Sequence, residues 1–194
     1  MAKVILNLSM SLDGFIAGPN DSREQPLGEG GMRLHDWIGD PNSKNLRNNE
    51  VLDELFTNTG TMISGWQMYD LVNGWGGSHP INGVPVFVLT NNVPKKVPQG
   101  TTPFTFVTDG IESALKQAKA VSEGKNVYVM GGANIAQQYI KAGLFDEIQI
   151  NLVPVLLGGG VSLFDYLGTG PIELECIRVI DAPSVTHLRF SVVK

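Results

Sequence analysis

Cysteine is almost absent from this chain, which contains a single one, Cys176, among 194 residues. A lone thiol cannot form an intramolecular disulfide, so nothing in the sequence requires an oxidising compartment. Long apolar runs are missing too. The apolar run at residues 4–6 turns polar at Asn7, which is too short for a secretion signal, and no run reaches membrane-spanning length. These absences predict a cytoplasmic protein that does not associate with membranes.

Positive charge is scarce and dispersed. The 14 lysine and arginine residues are outnumbered by 19 acidic residues, and Lys95 with Lys96 forms the one adjacent basic pair. Nucleic-acid binding usually needs a concentrated basic face, so the composition argues against a nucleic-acid partner. The histidines, His35, His79 and His187, lack metal-ligand spacing, so we expect no metal site. We predict that His187 is structural and lies on the wetter side of a strand.

The length and composition are typical of one globular domain, which we predict to span residues 1–194. Short apolar stretches without clean alternation are typical of strands buried on both faces. Amphipathic periodicity between them predicts helices, one of them opened by a capping box of Asp109 and Glu112. The predicted strands are residues 4–8, 61–64, 84–89 and 104–107, and the predicted helices are residues 43–58 and 109–124.

The C-terminal third changes character. Ile148, Ile150 and Leu152 alternate with polar residues, a pattern typical of a strand with one wetter face, and residues 188–192 alternate in the same way. Residues 173–180 are a candidate partner strand. The sequence therefore predicts an α/β fold with a mostly parallel central sheet, flanking helices and antiparallel strands at the C-terminal end.

A glycine turn is the most informative local feature. The apolar run that ends at Met130 stops at Gly131 and Gly132, and a helical pattern begins directly afterwards. Glycines allow a ligand close to the backbone, and the unpaired amides at a helix N-terminus favour an anion. The pattern fits a phosphate or pyrophosphate site. The alternative is that the glycines merely end a strand.

Several motifs in a fixed order resemble the dihydrofolate-reductase-like superfamily. The closer match is the branch typified by the C-terminal reductase domain of bifunctional riboflavin-biosynthesis proteins, and it covers nearly the whole chain. The motifs are SMSLDGFIAG at 9–18, ISGWQMYD at 63–70, VLTN at 88–91, MGGA at 130–133, PVLLGGG at 154–160 and LF at 163–164.

The resemblance implies a homodimeric reductase that transfers hydride from NADPH to a heterocyclic substrate. It implies a cis peptide between Gly131 and Gly132, which hold the pyrophosphate with the amides of Ala133, Asn134 and Ile135. Backbone around Ser9, Ile16 and Ala17 would hold the nicotinamide carboxamide. Gly65 and the residues after it would lie near the other end of the cofactor, with Thr90 and Asn91 beside the adenosine.

Three residues depart from the pattern of these relatives. Trp66 and Met68 stand where relatives carry Arg and Thr, and the Arg normally grips the 2′-phosphate of NADPH. Its loss leaves NADH as an alternative cofactor unless Lys95 or Lys96 compensates. Trp66 either stacks on the adenine or packs in the core. Phe15 stands where a lysine commonly lies near a phosphorylated substrate.

Two carboxylates are candidates for the proton chemistry that accompanies hydride transfer. Asp13 lies in the nicotinamide loop, and its alternative role is to form the turn before Gly14. Asp36 occupies a region from which an acid faces the pterin in folate reductases, and its alternative is a surface carboxylate. The long polar loop from Gly18 to Gly31 is a candidate lid or binding loop.

The resemblance predicts a pyridine-nucleotide-dependent oxidoreductase similar to the 5-amino-6-(5-phosphoribosylamino)uracil reductase of riboflavin biosynthesis. A dihydrofolate reductase or weak pteridine reductase is the alternative enzyme. A non-catalytic nucleotide-binding protein is the alternative from another class.

Overall fold

The computed structural model describes residues 2–39, 46–165 and 167–194. Strands and helices alternate through the first three quarters of this part, and strands dominate the rest. The strands are β1 (Val4–Ser11), β2 (Phe15–Ala17), β3 (Thr59–Gly65), β4 (Val86–Leu89), β5 (Phe104–Val107), β6 (Asn126–Val129), β7 (Glu147–Val153), β8 (Val161–Ser162), β9 (Leu174–Ala182) and β10 (Val185–Val192). The α-helices are α1 (Asp36–Gly39), α2 (Leu46–Asn58), α3 (Trp66–Leu71), α4 (Ile111–Val121) and α5 (Ala133–Lys141).

Eight strands form one sheet in the order β5-β4-β3-β6-β1-β7-β10-β9. The first six strands of this order are parallel to one another, and β10 pairs antiparallel with both β7 and β9. A small second sheet pairs β2 with β8. The predicted α/β fold, with its parallel centre and antiparallel C-terminal strands, is confirmed. Because the parallel strands share one direction, their carboxyl ends meet at one edge of the sheet.

Both faces of the sheet are covered. On one face, α4 and α5 bury apolar side chains against the central strands, among them Leu115, Tyr139 and Val129. On the opposite face, α3 and the segment after it cover β3 and β4 through Tyr69 and Ile81. Farther along that opposite face, helices α1 and α2 cover β7 and β10. This double coverage explains why the central strands read as apolar without alternation.

The wetter face predicted for the seventh strand is wrong. Glu147, Gln149 and Asn151 are all buried, as is His187 on the neighbouring β10, which also corrects its predicted placement. Their face of the sheet packs beneath α2 and Trp37. The polar alternation in the sequence therefore marks a buried polar layer, in which the side chains satisfy one another.

Hydrogen bonds join the members of this layer. The Asn151 side-chain amide donates to Asn7 Oδ1 at 2.9 Å, and its own Oδ1 lies 2.7 Å from Nδ1 of His187. His187 Nε2 lies 3.0 Å from Oδ1 of Asn48, and the imidazole packs edge-on against Trp37. Burial lowers the pKa of His187 to about 4. The imidazole is therefore neutral at physiological pH and serves the structure.

Ion pairs extend the layer toward the sheet edge. Glu147 accepts from Arg189 Nε at 2.5 Å and from Lys3, and Glu54 of α2 bridges Arg189 and Arg178. These contacts fasten α2 to β7, β9 and β10.

Two of the predicted helices agree with the structure only in part. Helix α4 begins at Ile111 after Gly110, whose φ is 101°, and no side chain caps it, so the predicted capping box of Asp109 and Glu112 is wrong. The left-handed glycine turns the chain into the helix without a capping side chain. The helix predicted at 43–58 is confirmed from Leu46 onward, and residues 43–45 lie outside the described residues.

Replacing Glu147 by Gln tests the ionic layer. We expect the free energy of unfolding to fall by about 2–3 kcal/mol, because the mostly buried Arg189 loses one of its two carboxylate partners. Urea denaturation measures the change. Glu50→Gln is the matched control: that side chain is 60% exposed, so its pair with Arg178 contributes less than about 1 kcal/mol. Equal losses in the two variants would contradict the assignment.

Candidate functional site

A cleft of about 650 Å³ opens at the carboxyl ends of β3, β4, β5 and β6. Nine of the predicted cofactor-binding residues line it. Gly65, Trp66 and Met68 come from the end of β3 and the start of α3, and Thr90 and Asn91 follow β4 directly. The turn between β6 and α5 contributes the remaining four, which are Gly131, Gly132, Asn134 and Ile135. The structure thus brings segments far apart in sequence to one site.

The glycine turn forms one end of the cleft. Gly132 has φ 76° and ψ 140° and immediately precedes α5, whose first turn has no side-chain cap. The described residues contain no cis peptide bond, so the cis bond predicted between Gly131 and Gly132 is wrong in this structure. The positive φ of Gly132 redirects the chain into the helix with trans peptides throughout.

Missing Cβ atoms let two elements pack tightly beneath the cleft. A Cβ on Gly131 would lie 2.6 Å from Met68 Sδ and 2.7 Å from Ser64 Oγ. A Cβ on Gly65 would lie 2.8 Å from Cγ1 of Ile135. By contrast, a Cβ on Gly132 would meet nothing within 4 Å, because this glycine faces open space. The backbone of this turn is therefore accessible from the cleft, and we call the turn, Gly131 and Gly132, the cradle.

The lining is polar without being charged. Among the described residues, those around the cleft include no Lys, Arg, Asp, Glu or His side chain. Amides and hydroxyls supply the polar groups, including Gln67, Asn92, Thr108 and Gln138, which the sequence analysis missed. Two signals could have found them: Asn92 and Thr108 lie just past strands that end at this edge, and Gln138 lies one helical turn after Asn134, to whose Oδ1 it donates at 2.6 Å.

Trp66 stands at the rim, where α3 begins. Its side chain is 37% exposed, and its ring lies 5.4 Å from that of buried Tyr69 at an interplanar angle of 36°. The indole thus lines the cleft, stays partly exposed and contacts one core residue, Tyr69. The core alternative stated for Trp66 is wrong, and stacking on an adenine stays a prediction.

Four other predicted cofactor residues do not line this cleft. Ser9 and Ala133 are buried, Ala17 is buried in β2, and Ile16 packs against the main core. The hydroxyl of Ser9 accepts a hydrogen bond from Trp37 Nε1 at 3.0 Å. Strands β1 and β6 are parallel neighbours, so Ser9 lies farther along the same sheet edge as the glycine turn. Ser9, Ile16 and Ala17 therefore lie on the β1 side, whereas Ala133 is the first residue of α5, between the lining residues Gly132 and Asn134.

The carboxylate of Asp13 is held by local donors. It accepts from Ser11 Oγ at 2.6 Å and from the backbone amides of Gly158 at 2.8 Å and Leu157 at 3.1 Å. The Ser11 hydrogen bond is the main cause of the lowered pKa of Asp13. A carboxylate held ionised in this way joins the β1–β2 turn to the 154–160 segment. The geometry favours the turn-forming alternative for Asp13.

Asp36 begins α1 and is exposed, whereas Trp37, the next residue, is buried against His187. The chain direction at α1 therefore places the carboxylate outside the buried polar layer. An exposed carboxylate at this position fits the surface alternative, and its role as a proton donor stays a prediction.

The long polar loop is folded onto α3. Gly18 N–H donates to Leu27 O at 2.8 Å, which closes the loop on itself. Arg23 pairs with Asp70 at 2.6 Å, and Gln67, which lines the cleft, donates to Asp21 at 2.8 Å. The loop thus supports the cleft wall, and whether it acts as a lid stays a prediction.

The described residues hold neither a cluster of metal ligands nor a membrane-spanning helix. No group of three or more His, Cys, Asp or Glu side chains converges within residues 2–39, 46–165 and 167–194 as a metal site would need. In the same part of the chain, no helix combines the length and apolar character needed to cross a membrane.

The fold and the glycine-lined cleft at the strand ends define a dihydrofolate-reductase-like protein. More specifically, the chain belongs to the RibD C-terminal domain family, whose model matches residues 2–188. Its recognition from sequence motifs is confirmed.

Individual relatives agree with this assignment. The uncharacterized protein YyaP of Bacillus subtilis (strain 168) is 30% identical over 172 residues, covering 84% of this chain and 80% of that protein. A crystal structure of a putative riboflavin biosynthesis protein from Shewanella sp. PV-4 superposes with a TM-score of 0.72 at 26% identity, covering 99% of both chains. Dihydrofolate reductase from Enterococcus faecalis, complexed with NADP(H), shares the fold at 12% identity, with a TM-score of 0.63 over 99% of this chain and 97% of that one.

Proposed function

We propose that this protein is a pyridine-nucleotide-dependent reductase. The observation that carries the proposal is the bare glycine turn, Gly131 and Gly132, which opens onto the start of α5 at the end of the cleft. The family and the fold both support a reductase. The family resemblance implies NADPH as the cofactor, and the departures at Trp66 and Met68 leave NADH as the alternative.

The cradle fits the pyrophosphate of a dinucleotide. The first amides of α5, at Ala133, Asn134 and Ile135, have no intrahelical acceptors, and the helix dipole adds partial positive charge there. Because a Cβ on Gly132 would project into open space, a ligand can lie directly against the backbone. Phosphate binding at such a turn needs no cationic side chain.

The remaining predicted residues define the two ends of the bound cofactor. Trp66, Thr90 and Asn91 flank the adenosine, and the backbone around Ser9 and Ile16 holds the nicotinamide on the β1 side. The dinucleotide supplies the hydride, so the chain's task is to align donor and acceptor and to exclude water.

We propose Asp36 as the group that supplies the proton, directly or through water. Asp13, whose pKa is lowered by its three donors, would be ionised at neutral pH and would position the loop beside the nicotinamide. Because all three contacts tie Asp13 to the loop, we assign it a positioning role and leave the proton transfer to Asp36.

The substrate is proposed to be heterocyclic. A phosphoribosylamino-uracil compound is the first candidate, because the family is that of the riboflavin-pathway reductase domain. A dihydrofolate is the second, supported by the shared fold. Phe15, which replaces the expected lysine, weakens the case for a phosphorylated substrate. A nucleotide-binding protein without turnover is the alternative from another class.

Cofactor binding tests the proposal first. Calorimetric titration of the purified protein with NADH and NADPH should give micromolar affinity for at least one of them. Gly132→Val should abolish that affinity while leaving urea unfolding cooperative, because the side chain would fill the cradle and strain a residue at positive φ. Gly170→Ala is the control, since a Cβ there meets nothing and the glycine lies outside the cleft. Unchanged affinity in Gly132→Val would remove the assignment.

Turnover tests the roles of the carboxylates. With the substrate that gives the faster cofactor oxidation, Asp36→Asn should lower kcat by about a hundredfold, because the group that donates the proton is lost. Asp13→Asn should mainly raise KM, because the loop it fastens would loosen. If Asp36→Asn leaves kcat unchanged, the proton comes from elsewhere. Cofactor binding without turnover of either substrate class would favour the non-catalytic alternative.

We further propose that the protein forms a homodimer through an apolar face on β9 and β10. Cross-strand pairs place Val179 opposite Leu188, and Leu174 opposite Val192, on one face of the sheet. Val179 is 57% exposed and Leu174 is 42% exposed, so both apolar side chains lie open on the edge strand β9.

Light scattering measures the oligomeric state. We expect a dimer of the wild-type chain and a monomer of Val179→Glu, because a charge in the centre of an apolar interface lacks a partner. Val121→Glu adds the same charge at another exposed apolar position, on α4, and should remain dimeric. A monomeric wild type would contradict the proposal.

A further inference from the structure

We infer that the cleft selects the dinucleotide that lacks a 2′-phosphate, NADH, and that Trp66 at the rim sets this preference. The inference rests on the proposed function and deepens it, since it concerns the adenosine end of the same cleft. It starts from the composition of the lining, which in the described part of the chain holds amides, hydroxyls and apolar groups but no charged side chain.

A 2′-phosphate would lose its hydration in this cleft without gaining a charged partner. NADPH differs from NADH by this one group, which carries about two negative charges near neutral pH. Burying such an anion is unfavourable unless a cation or several donors replace its water. The uncapped start of α4 also reaches the cleft, at Gly110, but its amides are neutral, and among the described residues the cleft lining offers the phosphate no charged side chain.

The cations closest in sequence are not placed to help. Pro94 lines the cleft, but Lys95 and Lys96, which follow it, do not and are exposed to solvent. Arg23, near the other wall, is already paired with Asp70 at 2.6 Å. Solvent screens exposed charges, so two lysines outside the cleft contribute little to a phosphate inside it.

The rim also carries negative charge. Asp109 lies between Thr108 and Gly110, both of which line the cleft, and its side chain is exposed. Solvent screens this exposed charge as it screens the lysines, so Asp109 adds only a weak repulsion toward a phosphate. Discrimination of this kind acts by penalising the wrong ligand.

An uncharged lining does suit a ribose with free hydroxyls. Hydroxyl groups both donate and accept, so the side chains of Asn91, Asn92 and Thr108 can match them without any change in net charge. Trp66 lines the cleft and is partly exposed, and its ring contacts that of Tyr69. Adenine stacking on an aromatic ring needs no charge, so the tryptophan retains affinity for the base where an arginine would have bound the phosphate.

Affinity for adenosine fragments isolates this end of the cleft. Calorimetry on the full chain should show that ADP-ribose binds at least tenfold more tightly than its 2′-phosphorylated form, and that NADH exceeds NADPH by a similar factor. Trp66→Arg should raise the affinity for NADPH about ten- to a hundredfold, because a charge-assisted contact to the phosphate appears. Trp66→Phe keeps a ring without a charge and should keep the NADH preference.

Lys95→Gln combined with Lys96→Gln is the matched control and should alter neither affinity. Tighter binding of NADPH than of NADH by the wild-type chain would overturn the inference and leave the proposed function standing. A Trp66→Arg variant that melts at the same temperature as the wild type but binds NADPH no more tightly would also overturn the inference. Binding of neither dinucleotide would remove the proposed function together with the inference.

Discussion

The whole site depends on two missing Cβ atoms. Gly131 and Gly65 let β6 with α5 pack closely against β3 with α3, since a Cβ on either would lie under 3 Å from a side-chain atom of Met68, Ser64 or Ile135. This contact sets the width of the cleft and the position of the start of α5. A larger residue at either position would force those side chains, two of which line the cleft, to repack.

The buried polar layer plays a complementary part on the other side of the sheet. Asn7, Asn151 and His187 satisfy one another, while Glu147 and Arg189 neutralise each other beside them. A satisfied polar network costs stability relative to apolar packing, but it tolerates only one register of the strands. The layer reaches Trp37, whose indole N–H holds Ser9 at the β1 side of the site. The layer that fixes the C-terminal strands thus also fixes the residues proposed to border the nicotinamide.

The fold could be predicted from the sequence because each strand and helix carries its own periodicity, and the C-terminal strands alternate where the central ones do not. The errors have a common origin. Glu147 is buried because it pairs with Arg189, which lies more than forty positions away in the sequence. Whether Asp109 caps α4 depends on the φ of Gly110. Neither property can be predicted from local spacing. Within the candidate site, strand-end residues such as Thr90 and Asn91 could be predicted from motif order. Gln67, by contrast, lines the cleft because a distant loop folds onto α3.

Different parts of the proposed site bind different parts of the cofactor, and this explains how the chain can lack the arginine that its relatives carry. Under the proposed function, the pyrophosphate that NADH and NADPH share is bound by backbone amides and a helix dipole, which do not depend on the side chain at position 66. The 2′-phosphate, which distinguishes NADPH from NADH, would contact side chains, those of Trp66 and its neighbours. Substitution there therefore changes which dinucleotide is preferred without abolishing binding. The departures at Trp66 and Met68 are then expected of a reductase with altered cofactor preference, and they do not by themselves indicate a protein that has lost its chemistry.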